Sequence, residues 1–282
     1  MRYYCTLFDK NYLPKGLAMY HSLKRHSSEP FMLHVLPLDA ETHAVMSNLS
    51  NIELHTWQMF ANREKMPHRE WCWRLASQFT EELLMRYGLM EVTYLDADLF
   101  FFSDPSWVHK EIGKRSIGII PHRLIPSKQH LEVNGKFNVG WVTFKDTAAG
   151  RECLARWAAQ VRERCDATTC GDQKYLDEWP ERYGDEVAII EHIGANVAPW
   201  NLANYQLYQY KVYPSGGAIY LNKHDDIAQQ QLIFYHFHEY EHDVRLTHYE
   251  LRPEDIDLIY KPYIAAIDKV KEQIEHLRLQ SR

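Results

Sequence analysis

A chain of 282 residues that is 45% hydrophobic can bury roughly three quarters of its unfolded surface, which excludes a minimal scaffold dependent on disulfides for its core. Its 32 Lys and Arg stand against 38 Asp and Glu for a formal charge of −6, spread along the chain. This excludes a nonspecific polyanion-binding surface, and no nucleic acid partner is expected. An anionic small molecule requires positive charge supplied locally, by a metal ion, an arginine or helix N-termini.

The first third alternates strand and helix patterns, the signature of a mostly parallel sheet flanked by helices in an α/β fold. Tyr3–Phe8 reads as the first strand, Asp9, Asn11 and Pro14 as a turn, Gly16–Arg25 as a helix and Phe31–Leu38 as the second strand. A short helix follows Asp39, and Ile52–Trp57 has strand character before a loop carrying Arg63, Lys65 and Pro67. Trp71–Tyr87 is a clear helix with Gly88 at its C-cap, and Glu91–Leu95 is the next strand, delivering Asp96 and Asp98 as the chain leaves the sheet.

Ile117–Ile120 and Asn138–Phe144 follow as strands, Thr147–Arg164 and Gln173–Trp179 as helices, and Val187–Ile190 as a buried strand. A polar loop through Asn201 carries Trp200, an expected pocket wall. Ala218–Leu221 and Leu232–Phe237 read as strands, which puts His236 and His238 on one face. From Ile264 the apolar residues Ile267, Val270, Ile274 and Leu277 recur at helical spacing, as expected of a core-covering helix over 264–282; a membrane-surface helix is the minority alternative. Five cysteines (Cys5, Cys72, Cys153, Cys165, Cys170) form no CxxC pair, a usage that fits a reducing cytosol. No signal peptide is evident and no run of about 18 apolar residues occurs.

The segment Tyr94-Leu95-Asp96-Ala97-Asp98-Leu99-Phe100-Phe101 places two carboxylates two residues apart at a strand end. If extended, both point the same way, with Ala97 facing backward, and together they can bind one hard divalent ion whose remaining sites a diphosphate fills. The bland alternative is turn capping by two aspartates. His236 and His238 are candidates to close the metal shell; one hydrogen-bonded and one exposed histidine is the equally ordinary reading.

Several local motifs then fall in the order of the GT-A nucleotide-sugar glycosyltransferases, particularly the retaining enzymes of family eight and their bacterial relatives. Asp9-Lys10-Asn11-Tyr12 resembles their nucleotide-side turn, and Met19-Tyr20-His21-Ser22-Leu23 the helix that follows. Trp73-Arg74-Leu75 stands before the acidic pair as their donor-facing arginine does, and Val92 through Phe100 resembles their Asp-x-Asp (DXD) strand. Phe137-Asn138-Val139-Gly140 and Gly171-Asp172-Gln173 resemble their Phe-Asn-x-Gly and Asp-Gln segments. The likeness spans roughly residues 3–238 and weakens at the C-terminal metal motif, which is split between His192–Trp200 and Tyr235–His238; Ala198 stands where the family usually has a lysine.

The resemblance implies a single GT-A-type catalytic domain over 1–282, with a Rossmann-like nucleotide-binding half. It implies transfer of a sugar, a hexose first of all, from a nucleotide diphosphate-sugar such as a UDP-sugar to a saccharide or lipid-linked saccharide, with retention of configuration. Mn²⁺ or Mg²⁺ would be held by Asp96, Asp98 and His236, with His238 and His192 as rivals. Asp9, Asn11, Tyr12 and Arg74 would face the donor, and Asn138, Asp172 and Gln173 the transferred sugar. Same-face attack is preferred over a covalent intermediate on Asp172. Trp200, Tyr205, Asn196 and Asn201 are acceptor-side candidates. The expected setting is surface-polysaccharide or lipopolysaccharide synthesis in the cytoplasm, at the cytosolic face of the inner membrane. A sugar-phosphate nucleotidyltransferase is the enzymatic rival, although the glycine-rich basic loop it requires is missing after Phe8; a sugar-binding protein without catalysis is the other.

Overall fold

The computed structural model describes residues 1–56, 66–166, 171–212, 216–223, 228–241 and 250–280. Trp57, Arg63, Lys65, Cys170 and the last two residues of the expected terminal helix lie outside them. The chain divides into two compact units: Met1–Lys10, Glu29–Asp96 and His109–Glu191 form one, and Asn11–Ser28, Ala97–Val108 and His192–Arg282 form the other.

In chain order the elements are β1 (Arg2–Phe8), α1 (Leu13–His26), β2 (Phe31–Pro37), α2 (Ala40–Met46), β3 (Ile52–Leu54), α3 (His68–Met85), β4 (Glu91–Leu95), β5 (Leu99–Phe101), α4 (Ser106–Ile112), β6 (Ile117–Pro121) and β7 (Phe137–Lys145). They continue with α5 (Ala148–Glu163), α6 (Trp179–Tyr183), β8 (Val187–Ile189), β9 (Tyr205–Val212), β10 (Gly216–Lys223), β11 (Gln230–Gln231), β12 (Phe234–His236), α7 (Pro253–Asp255) and α8 (Lys261–Gln280).

The first unit is built on a seven-stranded sheet of order β3-β2-β1-β4-β7-β6-β8. All its pairings are parallel except the two made by β7, so β7 alone runs against the rest. β1 and β2 are buried over most of their length and β7 nearly throughout, as strands covered on both faces must be, and this explains their continuous apolar runs. One face carries α3 and α5, whose residues Trp71, Leu75, Phe79, Leu83, Leu154 and Trp157 join the main core. Each starts where the local chemistry prescribes: α5 after Thr147, whose hydroxyl accepts from Gly150 N at 3.0 Å, and α3 directly after Pro67.

The second unit holds α1, an antiparallel β12–β5 pair, the antiparallel sheet β11-β10-β9 and the C-terminal helices. Its core is aromatic: Phe237 stacks on Tyr263 at 3.6 Å between ring centroids, and the Tyr235 and Tyr260 hydroxyls lie 3.0 Å apart. Ile267, Val270 and Ile274 of α8 are buried, so the apolar stripe of that helix covers core within this unit. Among the described residues no helix is long and apolar enough to cross a membrane.

Several sequence expectations are corrected. α1 begins at Leu13 rather than Gly16, because Pro14 sits inside the first turn, where its missing N–H costs nothing. Strand β3 ends at Leu54, short of the expected Trp57. Lys174–Glu178 is a 3₁₀ turn, with α6 starting only at Trp179. The acidic pair is not extended: the chain turns at Ala97 and Asp98, so alternation does not decide where the carboxylates point. His238 lies past the end of β12 in a turn closed by Glu239 at φ +55°, which breaks the shared-face argument. Tyr205, expected at an acceptor surface, is a core side chain at 1% exposure.

Candidate functional site

In the first unit the chain direction across the sheet reverses beside β1: β2 and β3 lie on one side of it, β4 and the rest on the other. Such a switch point, at the carboxyl ends of the strands, is where open α/β sheets bind ligands. β1 and β4 pair only through Tyr4–Thr93 and Cys5–Tyr94, and Asp9 and Asp96 follow the ends of these two strands. Asp96 stays registered to β7 through its N–H, which donates to Gly140 O at 3.1 Å. Asp9 is half-buried, with His68 Nε2 3.2 Å from its carboxylate.

Asp172 is 3% exposed. Burial, reinforced by the negative charge of Asp96, pushes its carboxyl well above the ordinary carboxylate range. Gly171 makes this approach feasible: its φ is +66°, and a Cβ there would stand 2.5 Å from the Trp73 ring. The Trp157 indole N–H donates to Asp172 O at 2.9 Å and fixes the backbone. The adjacent Gln173 accepts from Asn138 Nδ2 at 3.1 Å and donates to Asn134 O at 3.0 Å, while Asn138 Oδ1 accepts from Gly140 N at 3.0 Å. Asn138 and Gln173 thus meet directly, and His122 Nε2 lies 3.4 Å from the same Asn138 amide. His122 was missed from sequence; no motif marks it. Arg74 Nη1 donates to Arg162 O at 2.9 Å, at the end of α5.

The carboxyl of Asp172 gives the metal-free chain a signed pH dependence. Between an unfolded value of about 3.9 and its raised folded value, the native state holds a proton that the unfolded state has lost, so stability falls as pH rises. Asp172→Asn removes that loss. Measured in chelator, its Tm relative to the wild type should climb as pH rises from about 4 to about 8; a constant difference would show that Asp172 does not carry the burial cost.

In the second unit, pairing of β12 with β5 sets His236 opposite Leu99, next to Asp98. His236 Nε2 lies 3.1 Å from Asp98 Oδ1, and both side chains are buried. The loop is pinned from both sides: Phe237 N donates to Asp98 O at 2.9 Å and His236 N to Val197 O at 2.8 Å. Burial alone would raise the Asp98 carboxyl. The charge and hydrogen bond of His236, with Lys15 and His238, outweigh it and hold the group below the ordinary carboxylate range. Trp200 presents its ring to both histidines, with centroids 5.2 Å from His236 and 5.4 Å from His238. His238 Nε2 is 3.6 Å from Glu239, and His192 Nδ1 accepts from Gly194 N within its own loop. Asn11 and Tyr12 are exposed just ahead of α1, and Lys15 Nζ stands 4.4 Å from the Tyr12 ring centroid. Asn201 closes the Trp200 loop, accepting from Ala198 N and donating to Asn196 O.

Among solved structures the chain is similar to the galactosyltransferase LgtC in complex with donor and acceptor sugar analogs, with a TM-score of 0.58 at 14% identity over 95% of each chain. The glycosyltransferase GlyE of Streptococcus pneumoniae TIGR4 matches with a TM-score of 0.52 at 13% identity, over 97% of this chain and 64% of GlyE. The chain has a GT-A-like glycosyltransferase fold. In sequence, the Bacillus subtilis (strain 168) protein YfnD is 29% identical over 296 residues, covering 97% of this chain and 91% of YfnD; YfnF of the same strain is 26% identical over 298 residues, covering 97% and 94%. Both are described as uncharacterized proteins. No protein-family model matches the chain. Within the GT-A-like fold, Asp96 follows the end of the switch-point strand β4, and Asp98, two residues later, faces His236.

Proposed function

We propose that the chain is a metal-dependent glycosyltransferase that moves a sugar, a hexose first of all, from a nucleotide diphosphate-sugar to a hydroxyl of a saccharide or lipid-linked saccharide with retention of configuration. The observation that carries this reading is the buried Asp98–His236 contact of 3.1 Å, two residues beyond an aspartate at the switch point of a GT-A-like sheet. Two carboxylate oxygens and one imidazole nitrogen suit a Mn²⁺ or Mg²⁺ ion that keeps positions open for phosphate oxygens. Asp96, Asp98 and His236 hold that ion, which supplies positive charge to the departing diphosphate.

The rest of the work falls to the chain's own groups. Asp9, Asn11 and Tyr12 hold the nucleotide, and Arg74 the donor. Asn138, Asp172 and Gln173 hold the sugar hydroxyls through an amide pair already locked in place. Burial and the neighbouring Asp96 push the Asp172 carboxyl upward and so disfavour the bare carboxylate a nucleophile needs, which favours attack by the acceptor on the face the diphosphate leaves. The whole chain acts as one catalytic domain in the cytoplasm, in surface-polysaccharide or lipopolysaccharide synthesis, with α8 serving core packing.

The test is incubation with a panel of nucleotide sugars and glycan acceptors, with Mn²⁺ or with chelator. Acceptor elongation with nucleoside diphosphate release, abolished by chelator, is expected. Pyrophosphate exchange would assign a nucleotidyltransferase, and donor binding without turnover across the panel would assign a binding protein.

A further inference from the structure

A second group of metal-binding side chains lies at the far edge of the seven-stranded sheet, and it belongs wholly to the first unit. β3 is the edge strand and pairs with β2 through only three positions, among them His34 opposite Glu53. His55, two residues past Glu53, continues the ladder, its N–H donating to Val35 O at 2.9 Å. Cross-strand partners share a face of a sheet, and so do residues two apart on one strand. His34, Glu53 and His55 therefore converge on one side.

Their atoms converge too. His34 Nδ1 lies 2.9 Å from His55 Nε2 and 3.7 Å from Glu53 Oε2, and all three ligand atoms fall within 4.8 Å of one another. Four ligands about 2.0–2.1 Å from a tetrahedral zinc ion stand about 3.3 Å from each other, so the two recorded edges bracket the value required. Both imidazoles are buried, at 2% and 7% exposure. Rings of Phe79 and Tyr87 stand 5.1 and 5.0 Å from His55, and the Tyr3 ring 6.0 Å from His34, an apolar surround that strengthens a metal–ligand bond. The Glu53 side chain is 48% exposed, which gives an ion a route in. His34 Nε2, on the side of the ring away from the cluster, is buried and makes no hydrogen bond.

We propose that His34, Glu53 and His55 bind a zinc ion that clips the edge strand β3 to β2, with water as the fourth ligand. Two imidazoles and one carboxylate are a zinc-type set, unlike the oxygen-rich set proposed for the catalytic ion. Each imidazole stays neutral on binding, with its proton on the nitrogen that faces away from the ion. The proposal is independent of glycosyl transfer, since none of the three residues belongs to the catalytic set.

The experiment is calorimetric titration of Zn²⁺ into the full-length wild type, Glu53→Gln, His55→Gln and Asp98→Ala. Glu53 is exposed, so Glu53→Gln tests the site even if His55→Gln folds poorly. The expected result is one zinc equivalent per chain that persists in Asp98→Ala, weakens at least tenfold in Glu53→Gln and disappears in His55→Gln. Zinc affinity unchanged in Glu53→Gln, zinc binding lost entirely in Asp98→Ala, or no zinc equivalent in the wild type would each overturn the proposal and leave His34 and His55 as a hydrogen-bonded pair.

Discussion

Asp98→Ala is expected to weaken metal-dependent nucleotide-sugar binding roughly a hundredfold, with a parallel loss of turnover, while the chain remains folded. The truncation removes the carboxylate that His236 Nε2 faces at 3.1 Å, a contact between two buried side chains. A lost buried partner costs about 1–3 kcal/mol, within the 5–15 kcal/mol stability typical of a domain. Asp98→Asn separates the two effects: the amide keeps shape and a hydrogen-bonding atom, so stability recovers, but its neutral oxygen binds a hard cation poorly. Asp98→Ala protein with wild-type metal affinity and turnover would remove Asp98 from the site.

The second large effect separates the histidines. His236→Ala should weaken metal-dependent donor binding tenfold or more, and His238→Ala less than twofold. His236 is held on β12 by its N–H to Val197 O and aims Nε2 at Asp98. His238 sits past the strand, its side chain 33% exposed and beside Glu239. Trp200 touches both rings, so loss of packing alone would affect the two variants similarly; a difference in metal dependence reports ligation. The reverse order of effects would move the ligand assignment two residues along the chain.

The parallel layer was legible because strands covered on both faces are written as unbroken apolar runs: β1, β2 and β4 are each within one residue of their sequence limits. What escaped was short or mixed in pattern. β5 has three residues and follows a turn within an apolar run, so no periodicity marks it; the capping Asp104, whose carboxylate accepts from Ser106 N at 3.0 Å, was the available signal for α4. β9 was missed because its alternation changes phase: Tyr205 and Leu207 are apolar at odd positions, then Tyr208, Tyr210 and Val212 at even ones. At the candidate site, Asp98 and His236 could be named from motif order, but their contact depends on β5 pairing with β12 much later in the chain, with Phe101 opposite Phe234 and Leu99 opposite His236. The His34–Glu53–His55 group carries no motif at all, because its convergence is created by strand register rather than by spacing.

The most direct measurement of the central claim is the affinity of the wild-type chain for UDP, titrated once with Mn²⁺ and once with chelator. Binding at least tenfold tighter with Mn²⁺ is the result expected if the two aspartates and His236 present an ion to the diphosphate. Equal affinity under both conditions would contradict it.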